Sequence, residues 1–170
     1  MKERSVGEAV PIVFGEKLAS SQAFSTLFRD GMGLVEETAA YLDGPGRQES
    51  KKLERNAALA YATESMRLTT RLMQLASWLL LHRAVKEGEM TLTQANREKT
   101  KVKLSAADPG PEDMVTKLPA QLQGLIARSM SLQARVRRLD TSIHAPPAER
   151  PPIGNPLVPQ LNRLKAAFEQ

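Results

Sequence analysis

Apolar residues recur along most of this chain at intervals of three and four, the period of helices that bury one face. Between Glu16 and Leu42, the residues Phe24, Leu27, Phe28, Leu34, Val35, Ala39 and Leu42 approximate such a stripe, with Ser20 or Ser21 available to start the helix. Gly31 and Gly33 lie inside it, each costing about 1 kcal/mol relative to Ala. No proline accompanies them, so the pattern predicts close helix–helix approach at that level rather than a kink. Asp43-Gly44-Pro45-Gly46-Arg47 then ends the helix: Gly44 is expected to cap it in a left-handed conformation, and Pro45 cannot continue it. A second helix is predicted from Glu49 to Glu87, roughly 55–60 Å long at 1.5 Å per residue. The short turn makes the two helices antiparallel neighbours. It also brings Glu36 and Glu37 towards Arg55, an exposed pairing worth only about 0–1 kcal/mol.

The second helix changes character along its length. Leu53, Ala57, Ala60 and Tyr61 begin its apolar side, and Leu68, Leu72, Leu75 and Leu79 continue it with Arg67 and Arg71 to one side. Trp78-Leu79-Leu80-Leu81 then arrive in succession, so no side of that end is polar. The uninterrupted apolar run is far below the ~20 residues that span a bilayer, and Glu64, Arg67, Arg71, His82 and Arg83 surround it. Burial must come from protein: the first helix, a later helix, and a second copy of the chain. Leu72, Leu75, Trp78 and Leu79 are therefore the predicted packing residues of the bundle and of a dimer.

Gly88 breaks the second helix, and a shorter helical segment is expected over roughly Thr93 to Leu104. Asp108-Pro109-Gly110-Pro111 reads as a loop. Beyond it Val115, Leu118, Leu122, Leu125, Ser129, Leu132, Val136, Leu139 and Ile143 alternate in threes and fours, the a/d pattern of a bundled helix. Ser129 is the one polar residue on that stripe, and Pro119 fits the first turn if the helix starts near Thr116. Of the eleven prolines, Pro146, Pro147, Pro151, Pro152, Pro156 and Pro159 then crowd together, a tract expected to be extended or disordered. After it Leu157, Leu161, Leu164 and Phe168 share a helical face, as in a docking peptide; folding back onto the bundle is equally compatible. The predicted architecture is all-α. An extended segment (1–15) leads into an antiparallel helical bundle of three long helices plus a short one (16–143), followed by a flexible Pro-rich tail (144–170).

Composition narrows the function. A chain of 170 residues, 41% hydrophobic and 25% charged, suits one globular domain. Cysteine is absent, which removes disulfides and thiol chemistry and fits a reducing, cytoplasmic setting. The run Val10–Phe14 is short and holds Pro11, so it does not form the apolar core of a signal peptide. Net charge is +5. The best nucleic-acid candidates are Lys99, Lys101, Lys103, Arg128, Arg135, Arg137 and Arg138. They accompany no reading module and no stacking aromatics, which favours a solvated basic face. A basic helical nucleic-acid-binding protein remains the alternative class.

Catalytic chemistry has little to stand on. His82 follows the apolar run as a packing residue, and His144 opens the proline tract. Neither has a metal-ligand spacing partner. Asp108, Glu112 and Asp113 share a Pro/Gly loop, adjacent Glu36 and Glu37 diverge by about 100°, and no Glu-x-x-His motif is present. No catalytic residue, metal site or cofactor is assigned, and a non-enzyme is expected.

Two blocks carry a resemblance. Gly31–Arg47, "GMGLVEETAAYLDGPGR", and Tyr61–Val85, "YATESMRLTTRLMQLASWLLLHRAV", resemble the alphaproteobacterial family of RcdA, the regulator of CtrA degradation, over about residues 16–104. The resemblance implies a small cytoplasmic three-helix protein that dimerises and has no enzymatic activity. It would act as an adaptor that helps deliver the transcription factor CtrA to the ClpXP protease alongside accessory regulators. Cargo specificity would then lie where the match is poorest, notably in the tail with Leu157, Leu161, Leu164 and Phe168.

Overall fold

The computed structural model describes residues 21–99 and 110–144, which form six helices and no strand. They are α1 (Gln22–Asp43), α2 (Pro45–Ser50), α3 (Arg55–Lys86), α4 (Leu92–Lys99), α5 (Glu112–Val115) and α6 (Ala120–His144). Residues 1–20, which include the expected start of the first helix at Glu16, residues 100–109, which include the end of the expected Thr93–Leu104 segment, and the tail from 145 onward, with its Leu157, Leu161, Leu164 and Phe168, lie outside the described residues.

Three long helices, α1, α3 and α6, close around one core. Phe24, Leu27 and Leu34 enter it from α1, Leu68, Leu72, Leu75 and Leu79 from α3, and Leu122, Leu125, Leu132 and Val136 from α6. Helix α1 runs antiparallel to both others. Lys86 Nζ donates to Ser25 Oγ at one end of the α1/α3 pair, and Tyr41 meets Tyr61 around Gly46 at the other. Against α6, Asp30 pairs with Arg135 and Glu37 with Arg128. Helices α3 and α6 run in the same direction, because Arg71 reaches Ser129 and Trp78 reaches Asp140. Lys99 still lies at Asp140, whereas the Gly110 N–H already meets Glu64 near the start of α3.

Two helix starts differ from the sequence expectation, each for a local reason. Helix α3 begins at Arg55 rather than Glu49, because Pro45–Ser50 forms a helix of its own. Pro45 sits at its first position, where a missing N–H is harmless. Gly46 is buried so tightly that a Cβ would lie 2.6 Å from Tyr61 Oη and 2.8 Å from Tyr41 Cε1. The Tyr41 hydroxyl donates to Glu49 Oε2 at 2.8 Å, and burial followed by that carboxylate raises its pKa. With α2 held there, the chain turns before α3 can start. Gly44 has φ −113°, so it is not a left-handed cap, and the stop is made by Pro45. Gly88, after α3, does take the left-handed conformation at φ 75°.

Helix α6 begins at Ala120, just after Pro119 rather than around it. Proline disfavours the helical conformation in the residue before it, so α5 stops at Val115 and Leu118 is buried in the intervening turn. The heptad stripe itself holds: Leu122, Leu125, Ser129, Leu132, Val136 and Ile143 are buried, and Val115 and Leu139 are half-buried. Glu37 pairs with Arg128 on α6 at 2.7 Å, not with Arg55.

Candidate association surface

The inner side of α3 holds the predicted packing residues. Leu72, Leu75, Trp78 and Leu79 are each 4% exposed or less. The Trp78 ring lies 6.3 Å from that of Phe24 and stacks on His82 at 3.9 Å. A buried indole needs an acceptor for its N–H, and Asp140 supplies it: Trp78 Nε1 donates to Oδ1 at 2.8 Å. The same carboxylate accepts from Lys99 Nζ at 2.6 Å, and the His144 ring stands 3.5 Å away while its other nitrogen faces Asn96. Asp140 thus ties α3, α4 and α6 together. His82 Nδ1 faces the Trp78 carbonyl oxygen at 3.0 Å, its Nε2 is buried with no partner among the described residues, and burial lowers its pKa.

Charge is buried lower on the same helix. Arg71, expected to one side of the apolar stripe, is 1% exposed. Its Nη1 donates at 2.9 Å to Ser129 Oγ, the stripe's one polar side chain, which in turn donates to the Ile126 carbonyl oxygen at 2.7 Å. Buried Glu64 accepts from Arg67 Nη1 at 2.6 Å and from the Gly110 N–H at 3.1 Å. Neither Asp140 nor this pair of contacts was foreseen. The usable signals were a lone Trp and a lone Ser on otherwise apolar stripes.

The basic residues considered for nucleic acid are largely engaged within the chain. Lys99 is held by Asp140, Arg128 by Glu37 and Arg135 by Asp30. Arg137 and Arg138 are exposed, and Lys101 and Lys103 lie outside the described residues.

The outer side of α3 is where apolar surface is left open. Of the all-round apolar end, Trp78 and Leu79 are buried and Leu81 is half-buried, but Leu80 is 53% exposed, so the described helices do not cover that side. Leu80 is the last of four exposed apolar residues at seven-residue spacing: Leu59 (67%), Met66 (73%), Met73 (66%) and Leu80. Beside them a groove of about 290 Å³ opens between α1 and α3, lined mainly by apolar residues such as Val35, Leu42, Leu72 and Met73, with Asp43 its one charged residue. The three charged residues of this span, Glu64, Arg67 and Arg71, all turn away from the strip to the contacts described above. No group of three or more potential metal ligands occurs among the described residues, and none of their helices is long and apolar enough to cross a membrane.

These features define an all-α bundle protein with a strip of exposed apolar residues along one face of α3. A family described as "Protein of unknown function (DUF1465)" matches residues 15–168. The crystal structure of RcdA from Caulobacter crescentus CB15 is similar at 52% sequence identity, with 75% of this chain and 96% of that chain covered and a TM-score of 0.62. The chain belongs to the RcdA family. The matched span reaches well beyond residues 16–104, into the proline-rich tail. No curated protein matches.

Proposed function

We propose that this protein is a non-enzymatic adaptor of regulated proteolysis. It is a cytoplasmic homodimer that helps deliver a CtrA-like transcription factor to the ClpXP protease, in concert with accessory regulators. The observation that carries this reading is the 52% identity to RcdA over 96% of that chain, together with the adaptor role that membership of this family implies. The physical character of the molecule supports it. Its buried ionisable groups Glu64, Arg71 and His82 make contacts within the fold, and one strip of α3 exposes Leu59, Met66, Met73 and Leu80, as protein-binding helices do. The tail face of Leu157, Leu161, Leu164 and Phe168 is assigned to partner docking on its sequence pattern.

The test is reconstitution. Degradation of a CtrA-like substrate by purified ClpXP, with accessory regulators present, should accelerate when this protein is added. An unchanged rate across a saturating concentration range rejects the adaptor role. Truncation after Ile143 should reduce partner capture, and full capture by the truncated chain would remove the tail from the mechanism.

A further inference from the structure

Helix α4 is attached to the bundle mainly through polar contacts. Ala95 is its one buried residue, and Leu92 is half-buried against the core. At its C-terminal end Lys99 Nζ donates to both Asp140 oxygens at 2.6 Å, and Asn96 Oδ1 faces the His144 ring of α6. At its start Thr91 and Gln94 cap each other: the Thr91 N–H donates to Gln94 Oε1, and the Gln94 N–H to Thr91 Oγ1. Exposed Glu87, Gly88 and Glu89 precede it, with Gly88 at φ 75°. A helix this short is marginal without packing, so α4 depends on how firmly its far end is held. Beside that end lies His82, 0% exposed. Its Nδ1 is 3.0 Å from the Trp78 carbonyl oxygen, which can only accept, so the neutral ring carries its proton there and a lone pair on Nε2. Nε2 is enclosed without a partner. The ionisable groups facing the ring are Asp140 and His144 from α6 and Lys99 from α4. Arg83 and Lys86 of its own helix are turned to α1, over the Phe28 and Phe24 rings. Asp140 is the one carboxylate among the facing groups, and Lys99 and the Trp78 N–H already occupy its oxygens. A proton added to Nε2 therefore finds no acceptor and sets a second cation beside Lys99. A buried N–H and charge left unpaired is costly. Moving α4 aside relieves both faults, because water reaches Nε2 and the Lys99 charge withdraws.

We propose that α4 is a proton-operated flap: protonation of His82 Nε2 and detachment of α4 from Asp140 are one coupled event, in a bundle whose three long helices stay folded. The core permits this, since its large buried side chains on helices come from α1, α3 and α6. Each half of the event favours the other by the same factor, as linkage requires. The sign follows from burial. In the closed form burial holds the pKa of His82 below the ordinary 6.5, and opening restores it. The closed form is therefore fully favoured above about pH 6.5 and loses ground as pH falls below it. The flap is independent of the adaptor role, and either can fail without the other.

Hydrogen exchange of the full chain, read as protection factors between pH 8 and 5, tests the flap. Amides of α4 should be less protected than those of α1, α3 and α6 at each pH, because α4 opens without the bundle. Their opening should rise by up to about tenfold for each pH unit below about 6.5. Equal protection in α4 and the long helices would mean that α4 opens only when the bundle unfolds, and an α4 whose protection ignores pH would leave His82 uncoupled; either result overturns the proposal. Lys99→Met leaves His82 in place and removes the attachment. It should lower α4 protection at pH 8 and move the titration midpoint of His82 up towards the ordinary value. The chain has two histidines, so their ring resonances are assigned with His144→Gln alone. A His82 midpoint unmoved by Lys99→Met overturns the coupling, however loose α4 has become. In His82→Phe the protection of α4 should hold constant over the same pH range, and a slope equal to that of the parent chain also overturns the proposal.

Discussion

Replacing Asp140 isolates what the three-helix junction contributes to stability. In Asp140→Ala the Trp78 indole N–H, in a side chain only 1% exposed, loses its acceptor. An unsatisfied buried donor costs about 1–3 kcal/mol. Lys99 also loses its carboxylate, but both side chains are about one-fifth exposed, at 23% and 18%. Solvent screening places that pair near the surface range, about 1 kcal/mol. The expected loss is therefore about 2–4 kcal/mol. Asp140→Asn keeps an oxygen for the indole and removes only the charge, so its loss should be about 1 kcal/mol. Urea unfolding followed by far-ultraviolet circular dichroism measures both variants, at one protein concentration because any self-association shifts apparent stability by mass action. A Trp78→Phe background supplies the control: with the donor already gone, Asp140→Ala should cost measurably less than in the parent chain. If Asp140→Ala falls within about 0.5 kcal/mol of the parent, or Asn proves as damaging as Ala, the indole–carboxylate bond is not what holds the junction.

His82 makes stability depend on pH. Burial lowers its pKa below the ordinary 6.5, with Asp140 and His144 facing it from α6 and Lys99 from α4. The folded state therefore binds fewer protons than the unfolded chain, so this stability is intact above about pH 6.5 and is lost as pH falls below it. Melting temperature recorded from pH 8 to 5 should drop on the acid side, and His82→Phe should flatten the slope; an equal slope in the variant assigns the effect elsewhere. The glycines of α1 should respond in opposite directions. A Cβ on Gly31 would stand 2.5 Å from Leu79 Cδ1, whose side chain is fully buried, whereas one on Gly33 meets nothing within 4 Å. Gly33→Ala should stabilise by about 0.5–1 kcal/mol through helix propensity alone. In Gly31→Ala that gain is outweighed by overpacking of about 1–3 kcal/mol, a net loss that the same urea titration reads. Two shifts of the same sign would mean that α1 and α3 do not approach as closely at Gly31 as the fold requires.

The parts of this molecule legible in its sequence are those governed by local periodicity. The stripe from Leu118 to Ile143 buries nearly every position that its three-and-four spacing selects, because one face of a helix is decided by the helix itself. Helix ends were less legible, since they turn on single-residue chemistry. Pro119 acts through its effect on Leu118, and Pro45–Ser50 is helical because Gly46 and Glu49 fit the Tyr41 and Tyr61 rings. The polar interior was not legible. Arg71 with Ser129, Trp78 with Asp140, and Glu64 with Gly110 are partners 58, 62 and 46 residues apart. The first two pairings follow from α3 and α6 running in the same direction and the third from where Gly110 enters the bundle, none of which a local pattern encodes.

The apolar end of α3 shows how the two kinds of information combine. Read alone, Trp78-Leu79-Leu80-Leu81 is a short stretch with no polar side, and periodicity cannot separate residues that the chain's own core uses from those it leaves over. Once α1 and α6 are in place the division is definite. Trp78 and Leu79 are buried among them, while Leu80, one residue and about 100° further round the helix, points away from both. Its nearest equivalents are Met73, Met66 and Leu59, each seven residues back and each more than half exposed. Seven residues advance an α-helix by about two turns with a drift of only about 20°, so the four form one nearly straight strip. An isolated exposed Leu would need no explanation. Four in heptad register, each more than half exposed, form an apolar strip that α1 and α6 leave open.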